Sequence, residues 1–121
     1  MVLGGVELRD LQRWGPLARN GDVFEFGTVR VDPTARSVVR DGAPIALTPK
    51  EFDLLLALHE RNGSVMSRVD LLQEVWGYNS GVVSRTVDTH VAELRRKLEA
   101  DPARPRHILT VRKIGYRFAA E

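Results

Sequence analysis

Apolar and polar residues follow two rhythms along this chain, and the change of rhythm divides it. Between residues 24 and 47 the apolar positions come in short runs: Phe24-Glu25-Phe26, then residues 28–32, 36–40 and 43–47. Gly27, Pro33-Thr34-Ala35 and Asp41-Gly42 separate them. Short β-type runs divided by turn residues predict four antiparallel strands, and Asp-Gly between two of them is a strong signal for a two-residue hairpin. From Thr48 the spacing becomes helical. Thr48 is placed as an N-cap, Pro49 at N1 and Glu51 at N3, the pattern of a capping box. Phe52, Leu55, Leu56 and His59 follow on one face, widened by Leu54 and Leu58, so this helix should centre the core. Asn62-Gly63 ends it. Ser67, with Asp70 at N3, starts a second helix whose apolar face is Leu71, Leu72, Val75 and Trp76, and Gly77 stops it.

Residues 78–83 predict a loop, and a third helix follows over residues 84–98, with Ser84 expected as its cap. At 100° per residue Val87, Val91, Leu94 and Leu98 form one apolar stripe. Arg85, Thr89, Ala92, Glu93 and Arg96 occupy the opposite arc. His90 and Lys97 flank the stripe on one side, Asp88 and Arg95 on the other. A helix that buries one stripe and turns small, polar and cationic side chains outward suits a DNA major groove, which admits a helix and displays acceptor-rich edges. Taken alone, it suits an ordinary solvated surface helix better. Two β-type runs then close the chain, residues 108–111 and 116–118, around Arg112-Lys113-Ile114-Gly115. This predicts a hairpin whose tip pairs adjacent cations with a glycine able to take positive φ.

Composition narrows the choice. The 121 residues, 43% of them hydrophobic, suit one folded domain rather than disorder. With no cysteine, disulfides and thiolate metal sites are excluded. No apolar run reaches a membrane span and no secretion signal is legible, so a cytoplasmic location is expected. The net charge of +2 is small, but it is unevenly spread. Residues 84–121 carry nine Lys/Arg against five Asp/Glu, or +4; residues 1–83 carry nine against eleven, or −2. Positive charge thus collects on the third helix and the hairpin.

The words LTPKEFDLLLALHERNGSVMSRVDLLQEVWG, RTVDTHVAELRRKL and TVRKIGYRF, in that order, resemble the effector domain of OmpR/PhoB-type response regulators. The resemblance runs over roughly residues 23–119. It implies an α+β winged helix-turn-helix with an N-terminal four-stranded antiparallel sheet, three helices and a C-terminal β-hairpin wing, whose function is sequence-specific double-stranded DNA binding for transcriptional control. Residues 23–121 would be that domain, and residues 1–22, punctuated by Gly4-Gly5, Gly15-Pro16 and Asn20-Gly21, a linker or leader. The resemblance further implies direct-repeat operators, a free domain that is monomeric, and RNA polymerase as a second partner. That partner would meet the loop after the second helix at Gly77, Tyr78, Asn79, Ser80 and Gly81; a passive connector fits these residues equally well.

Within this frame the arc Arg85, Thr89, Ala92, Glu93 and Arg96 would read base edges. Arg112, with Lys113 beside it, would border the minor groove, whose negative potential attracts a guanidinium. Trp76, His90, Arg95, Lys97, Thr110 and Tyr116 would meet the DNA backbone. Trp76 and Tyr116 equally fit core positions, and Lys97 equally fits a solvated charge. Glu93 is the odd member, since related helices often carry cations at its position and at Ala92. It either accepts from a cytosine amino group or pairs with Lys97 four residues on, and the pair is the preferred reading. No enzyme is expected. His59, His90 and His107 lie 31 and 17 residues apart and fall in no ligand motif, the carboxylates are dispersed, and no cofactor loop is present. The remaining alternative is a winged helix used for protein contact.

Overall fold

The computed structural model describes residues 22–120. The linker or leader expected over residues 1–22 therefore lies, apart from Asp22, outside the described residues. Strands β1 (Phe24–Phe26), β2 (Val29–Asp32), β3 (Ser37–Arg40) and β4 (Ala43–Pro44) form an antiparallel sheet in that order. Helix α1 (Pro49–Glu60), strand β5 (Met66–Ser67), helix α2 (Arg68–Trp76) and helix α3 (Arg85–Leu98) follow. The hairpin β6 (Ile108–Val111) and β7 (Gly115–Phe118) closes the domain.

Local chemistry accounts for most element boundaries. Asp41 and Gly42 have φ of 53° and 79°, the paired left-handed residues that a hairpin turn between right-twisted strands requires. The capping box at Thr48 is complete: its side chain accepts from the Glu51 N–H at 3.2 Å, and Glu51 accepts from the Thr48 N–H at 3.1 Å. Ser67 caps α2 through the Asp70 N–H at 3.0 Å. Ser84 departs from expectation. It is helical itself (φ −63°, ψ −22°), and its side chain makes no capping bond. The α3 entry is instead closed by backbone, with Thr86 N–H donating to the Val83 carbonyl at 2.9 Å. The fourth strand is also shorter than the run 43–47: Ile45 N–H reaches the Val38 carbonyl, and beyond it the chain turns away, leaving Ile45 and Leu47 packed on the core from outside the sheet.

Strand β5 has no counterpart in the sequence reading. Met66 and Ser67 pair with Tyr116 and Gly115, giving a second sheet in the order β5-β7-β6. This pairing changes the role of Gly115. The left-handed residue of the hairpin tip is Lys113 (φ 66°), and Gly115 is the first residue of β7. A Cβ on Gly115 would stand 1.9 Å from the Met66 carbonyl oxygen, so glycine is needed there for close approach of two backbones.

One core joins these parts. Phe26, Val31 and Val38 from the first sheet, Leu54, Leu55 and Leu58 from α1, Leu71 from α2, and Ile108 and Phe118 from the hairpin are all buried in it. The α3 stripe Val87, Val91, Leu94 and Leu98 is buried as its spacing demands. His59 stacks on Phe24 at 3.5 Å between centroids and meets Phe118 edge-on at 5.6 Å, joining α1, the first sheet and the wing strand. Burial lowers its pKa from the ordinary 6.5.

Candidate nucleic-acid interface

Burying its apolar stripe turns the opposite arc of α3 to solvent. Arg85, Thr89, Ala92 and Arg96 are exposed and Glu93 is half-exposed. The Thr89 hydroxyl bonds back to the Arg85 carbonyl at 3.2 Å, the usual way a mid-helix threonine satisfies itself. Glu93 does not reach Lys97. It pairs with Arg96 instead, Arg96 Nη2 lying 2.8 Å from Glu93 Oε1. The reason is that Lys97 points inward: its Nζ donates to Glu51 Oε1 at 2.6 Å and to the Ala46 carbonyl at 3.1 Å. The capping-box carboxylate of α1 thus also receives an α3 lysine, in a pair whose side chains are only 18% and 6% exposed. Lys97 is accordingly neither a solvated charge nor a member of the outer arc.

On the other flank a polar cluster ties α3 to α2 and the wing. Asp88 accepts from Arg68 Nε at 2.7 Å and from the Tyr116 hydroxyl at 2.5 Å. Arg95 donates to the Ile108 carbonyl through Nε at 2.9 Å and Nη2 at 2.8 Å, and its Nη2 also reaches Thr110 Oγ1 at 2.8 Å. The two guanidiniums lie over the Tyr116 ring, at 5.6 Å for Arg68 and 5.7 Å for Arg95. Desolvation pushes the Asp88 carboxyl up, but bonds from Tyr116 and Arg68 and the nearby Arg68 and Arg85 charges outweigh it and hold it below its usual range. Burial first, and then the bond to Asp88, raise the Tyr116 phenol. Tyr116 is therefore largely a core residue whose hydroxyl serves Asp88. Arg95 and Thr110 fasten α3 to β6.

Trp76 lies half-buried against the core and meets the His90 ring edge-on at 4.9 Å. His90 Nδ1 lies 2.8 Å from the Thr86 carbonyl. A carbonyl only accepts, so Nδ1 carries the proton and Nε2 is left facing away from its own helix. The Trp76 indole N–H has no hydrogen-bond partner among the described residues. At the wing tip Arg112, Lys113 and Ile114 are all exposed, Ile114 by 56%. In the loop before α3, Tyr78 is 81% exposed, while Gly77 and Gly81 take positive φ and Ser80 Oγ accepts from the Val82 N–H at 3.2 Å.

Two residues that position this face were not singled out from sequence. Arg68, at the start of α2, meets Asp88 across 20 residues, and no local period marks that contact. Glu99, just past α3, is 2% exposed and accepts from the backbone N–H groups of Arg106, His107 and Ile108 at 2.9, 3.0 and 2.8 Å. It folds the connection to β6 back onto the helix. An acidic residue after a helix that already ends in Arg-Arg-Lys reads from sequence as surface, so burial was not legible. Among the described residues no group of His, Asp and Glu is placed to hold a metal ion, and no helix is long and apolar enough to cross a membrane.

A three-helix core with a sheet-borne β hairpin beside an outward helix arc defines a winged helix-turn-helix protein. The family described as transcriptional regulatory protein, C terminal, matches residues 42–118. The DNA-binding response regulator MtrA of Mycolicibacterium smegmatis is 45% identical over 105 residues, covering 84% of this chain and 46% of that protein. Among solved structures, the response regulator DrrB, a Thermotoga maritima OmpR/PhoB homolog, superposes with a TM-score of 0.73 at 38% identity, over 79% of this chain and 43% of that one. The Klebsiella pneumoniae RstA DNA-binding domain, solved in complex with the RstA box, superposes with a TM-score of 0.72 at 35% identity, over 83% of this chain and 99% of that one. The chain belongs to the OmpR/PhoB-type family of response-regulator C-terminal domains. It spans under half the length of MtrA.

Proposed function

We propose that this chain binds double-stranded DNA sequence-specifically and serves transcriptional control as the effector domain of a two-component response regulator. One observation carries the reading. Arg85, Thr89, Ala92 and Arg96 stand exposed on a single arc of α3, while Arg68, Asp88, Arg95 and Tyr116 hold that helix against a wing whose tip is Arg112 and Lys113. The likeness to a domain solved on its DNA box supports it. In this reading the arc enters the major groove and the wing cations border the minor groove. The Trp76 indole N–H and His90 Nε2 donate to phosphate, the latter when the ring is protonated. Thr110 and Arg95 work at the edge of the backbone contact, chiefly by setting the distance from helix to wing. Lys97 is assigned to Glu51 rather than to DNA.

The same reading makes residues 23–121 the binding domain and residues 1–22 its linker or leader. It places the protein in the cytoplasm, as a monomer when free that assembles on direct repeats. The loop Gly77, Tyr78, Asn79, Ser80 and Gly81, exposed from Tyr78 onward, is the surface offered to RNA polymerase. Titration of a random-sequence duplex at two salt concentrations tests the core of the proposal. Measurable affinity that falls steeply with salt is expected, because each neutralised phosphate releases counterions. No affinity at either concentration overturns it in favour of a winged helix that contacts protein.

A further inference from the structure

The outer arc carries one acidic side chain among its cations, and its geometry is specific. Arg96 Nε lies 3.2 and 3.3 Å from the two Glu93 carboxylate oxygens, and Arg96 Nη2 lies 2.8 Å from Oε1. Glu93 therefore occupies the side edge of the guanidinium, taking the Nε hydrogen and one Nη2 hydrogen. The end edge, made by one Nη1 hydrogen and the second on Nη2, has no protein partner among the described residues. That edge is a rigid two-donor fork, and its spacing matches the O6 and N7 acceptors of guanine in the major groove.

The pair contributes little to folding, because its side chains are 64% and 41% exposed and water screens them. Its effect is on Arg96 itself. An unrestrained arginine at a groove samples many rotamers and is drawn to whichever phosphate is nearest. Held by Glu93 it loses that freedom before binding, and the pair as a unit has no net charge to offer a phosphate. Ala92, one residue before Glu93 on the arc, is too small to obstruct the fork. The Arg96 bond holds the Glu93 carboxyl below its ordinary pKa, and Glu93 raises that of Arg96, so both partners stay ionised together.

We infer that Glu93 is a positioning residue that aims the free edge of Arg96 at a guanine, exchanging non-specific phosphate attraction for choice of one base pair. The inference rests on the DNA-binding reading above and deepens it. In this inference Glu93 acts on base choice only through Arg96, which both of its oxygens face.

The test is selection of bound duplexes from a randomised pool with the chain and its E93A, E93Q, R96A and E93A/R96A variants, followed by anisotropy titrations of the selected duplex and its single-base substitutions. The parent chain should prefer guanine at one position by about 5- to 150-fold. E93A and R96A should both lose most of that preference at the same position, and the double variant should lose no more than R96A alone. E93Q, which keeps one acceptor oxygen, should retain part of it. Binding of E93A to unselected duplex should hold or tighten with a steeper salt slope, while that of R96A weakens. A selected motif unchanged in E93A overturns the inference, as does a loss in E93A confined to a C·G pair that R96A still reads. If the parent chain enriches no sequence at all, the DNA-binding reading itself fails and the inference falls with it. The first two failures leave binding by the parent chain intact, so the cases are distinct.

Discussion

On the flanks of α3 that face the rest of the domain, basic side chains are held by the protein. Lys97 sits on Glu51 and the Ala46 carbonyl, Arg95 on the Ile108 carbonyl and Thr110. On its outer arc, one residue from each of them, Arg96 is 64% exposed and pairs with a surface glutamate. Arg95, Arg96 and Lys97 are thus three consecutive cations with different tasks, because 100° per residue sends them to three directions. Two set where the helix lies, and the third faces outward. A basic run at a helix end is not by itself a binding surface; the inward members decide whether the outward one is well placed.

The largest effect is expected where an inward anchor has no substitute. Glu99→Ala leaves three backbone N–H groups without their acceptor, one of them fully buried. At roughly 1–3 kcal/mol for each unsatisfied buried group, and with water reaching two of them, a loss of about 3 kcal/mol in a urea melt is expected. A loss below about 0.5 kcal/mol would mean that the connection to β6 is held by something else.

Lys97→Ala and Arg96→Ala test the comparison directly. The first strands the buried Glu51 carboxylate and should destabilise by roughly 2 kcal/mol, below the usual range for a fully buried pair because Lys97 keeps some exposure. The second should change stability by less than about 0.5 kcal/mol and act only on DNA binding. Equal melting midpoints for the two variants would erase the distinction between flank and arc.

Thr48→Ala removes the other half of the arrangement around Glu51. It should cost roughly 0.5–2 kcal/mol through the lost cap and leave the choice of duplex intact. Altered base preference at an unchanged melting point would show that α1 does more than support α3.

A smaller, pH-dependent effect is expected at His59. Burial lowers its folded pKa below the 6.5 of the unfolded chain. Above 6.5 the ring is neutral in both states and stability is complete. As pH falls through 6.5 the unfolded chain takes up the proton first, so stability declines until the folded pKa is passed, and then levels. His59→Phe keeps the stack on Phe24 and should flatten this part of the stability–pH curve. An unchanged slope would assign the dependence to another group.

The smallest effect on stability belongs to the wing tip. Arg112→Ala should leave the melt unchanged and reduce the salt slope of duplex binding by about one unit if the guanidinium meets a phosphate. A loss concentrated on A·T-rich flanks would instead indicate minor-groove insertion. Unchanged affinity on every duplex would remove Arg112 from the interface.

Signals that act within a few residues were legible in the sequence. The Thr48 capping box, the Ser67 cap, the Asp41-Gly42 turn and the stripe of α3 each depend on neighbours at fixed local spacing, and each stands where that spacing put it. The family words carried the order of elements and the outward arc as well. What only the tertiary structure decided is non-local. Lys97 and Glu51 are 46 residues apart, and Tyr116 and Asp88 are 28 apart. β5 is too short to show a period and exists because β7 lies beside it. Gly115 was legible as a glycine that mattered, but a turn and a close backbone contact ask for the same residue, and only the position of Met66 separates them. Ser84 has the right type for a cap, yet the chain reaches it already helical and leaves its side chain no N–H to accept from. Helical periodicity assigns a direction to each side chain; which partner waits in that direction depends on how distant segments pack, and that settles whether a charge anchors the fold or faces outward.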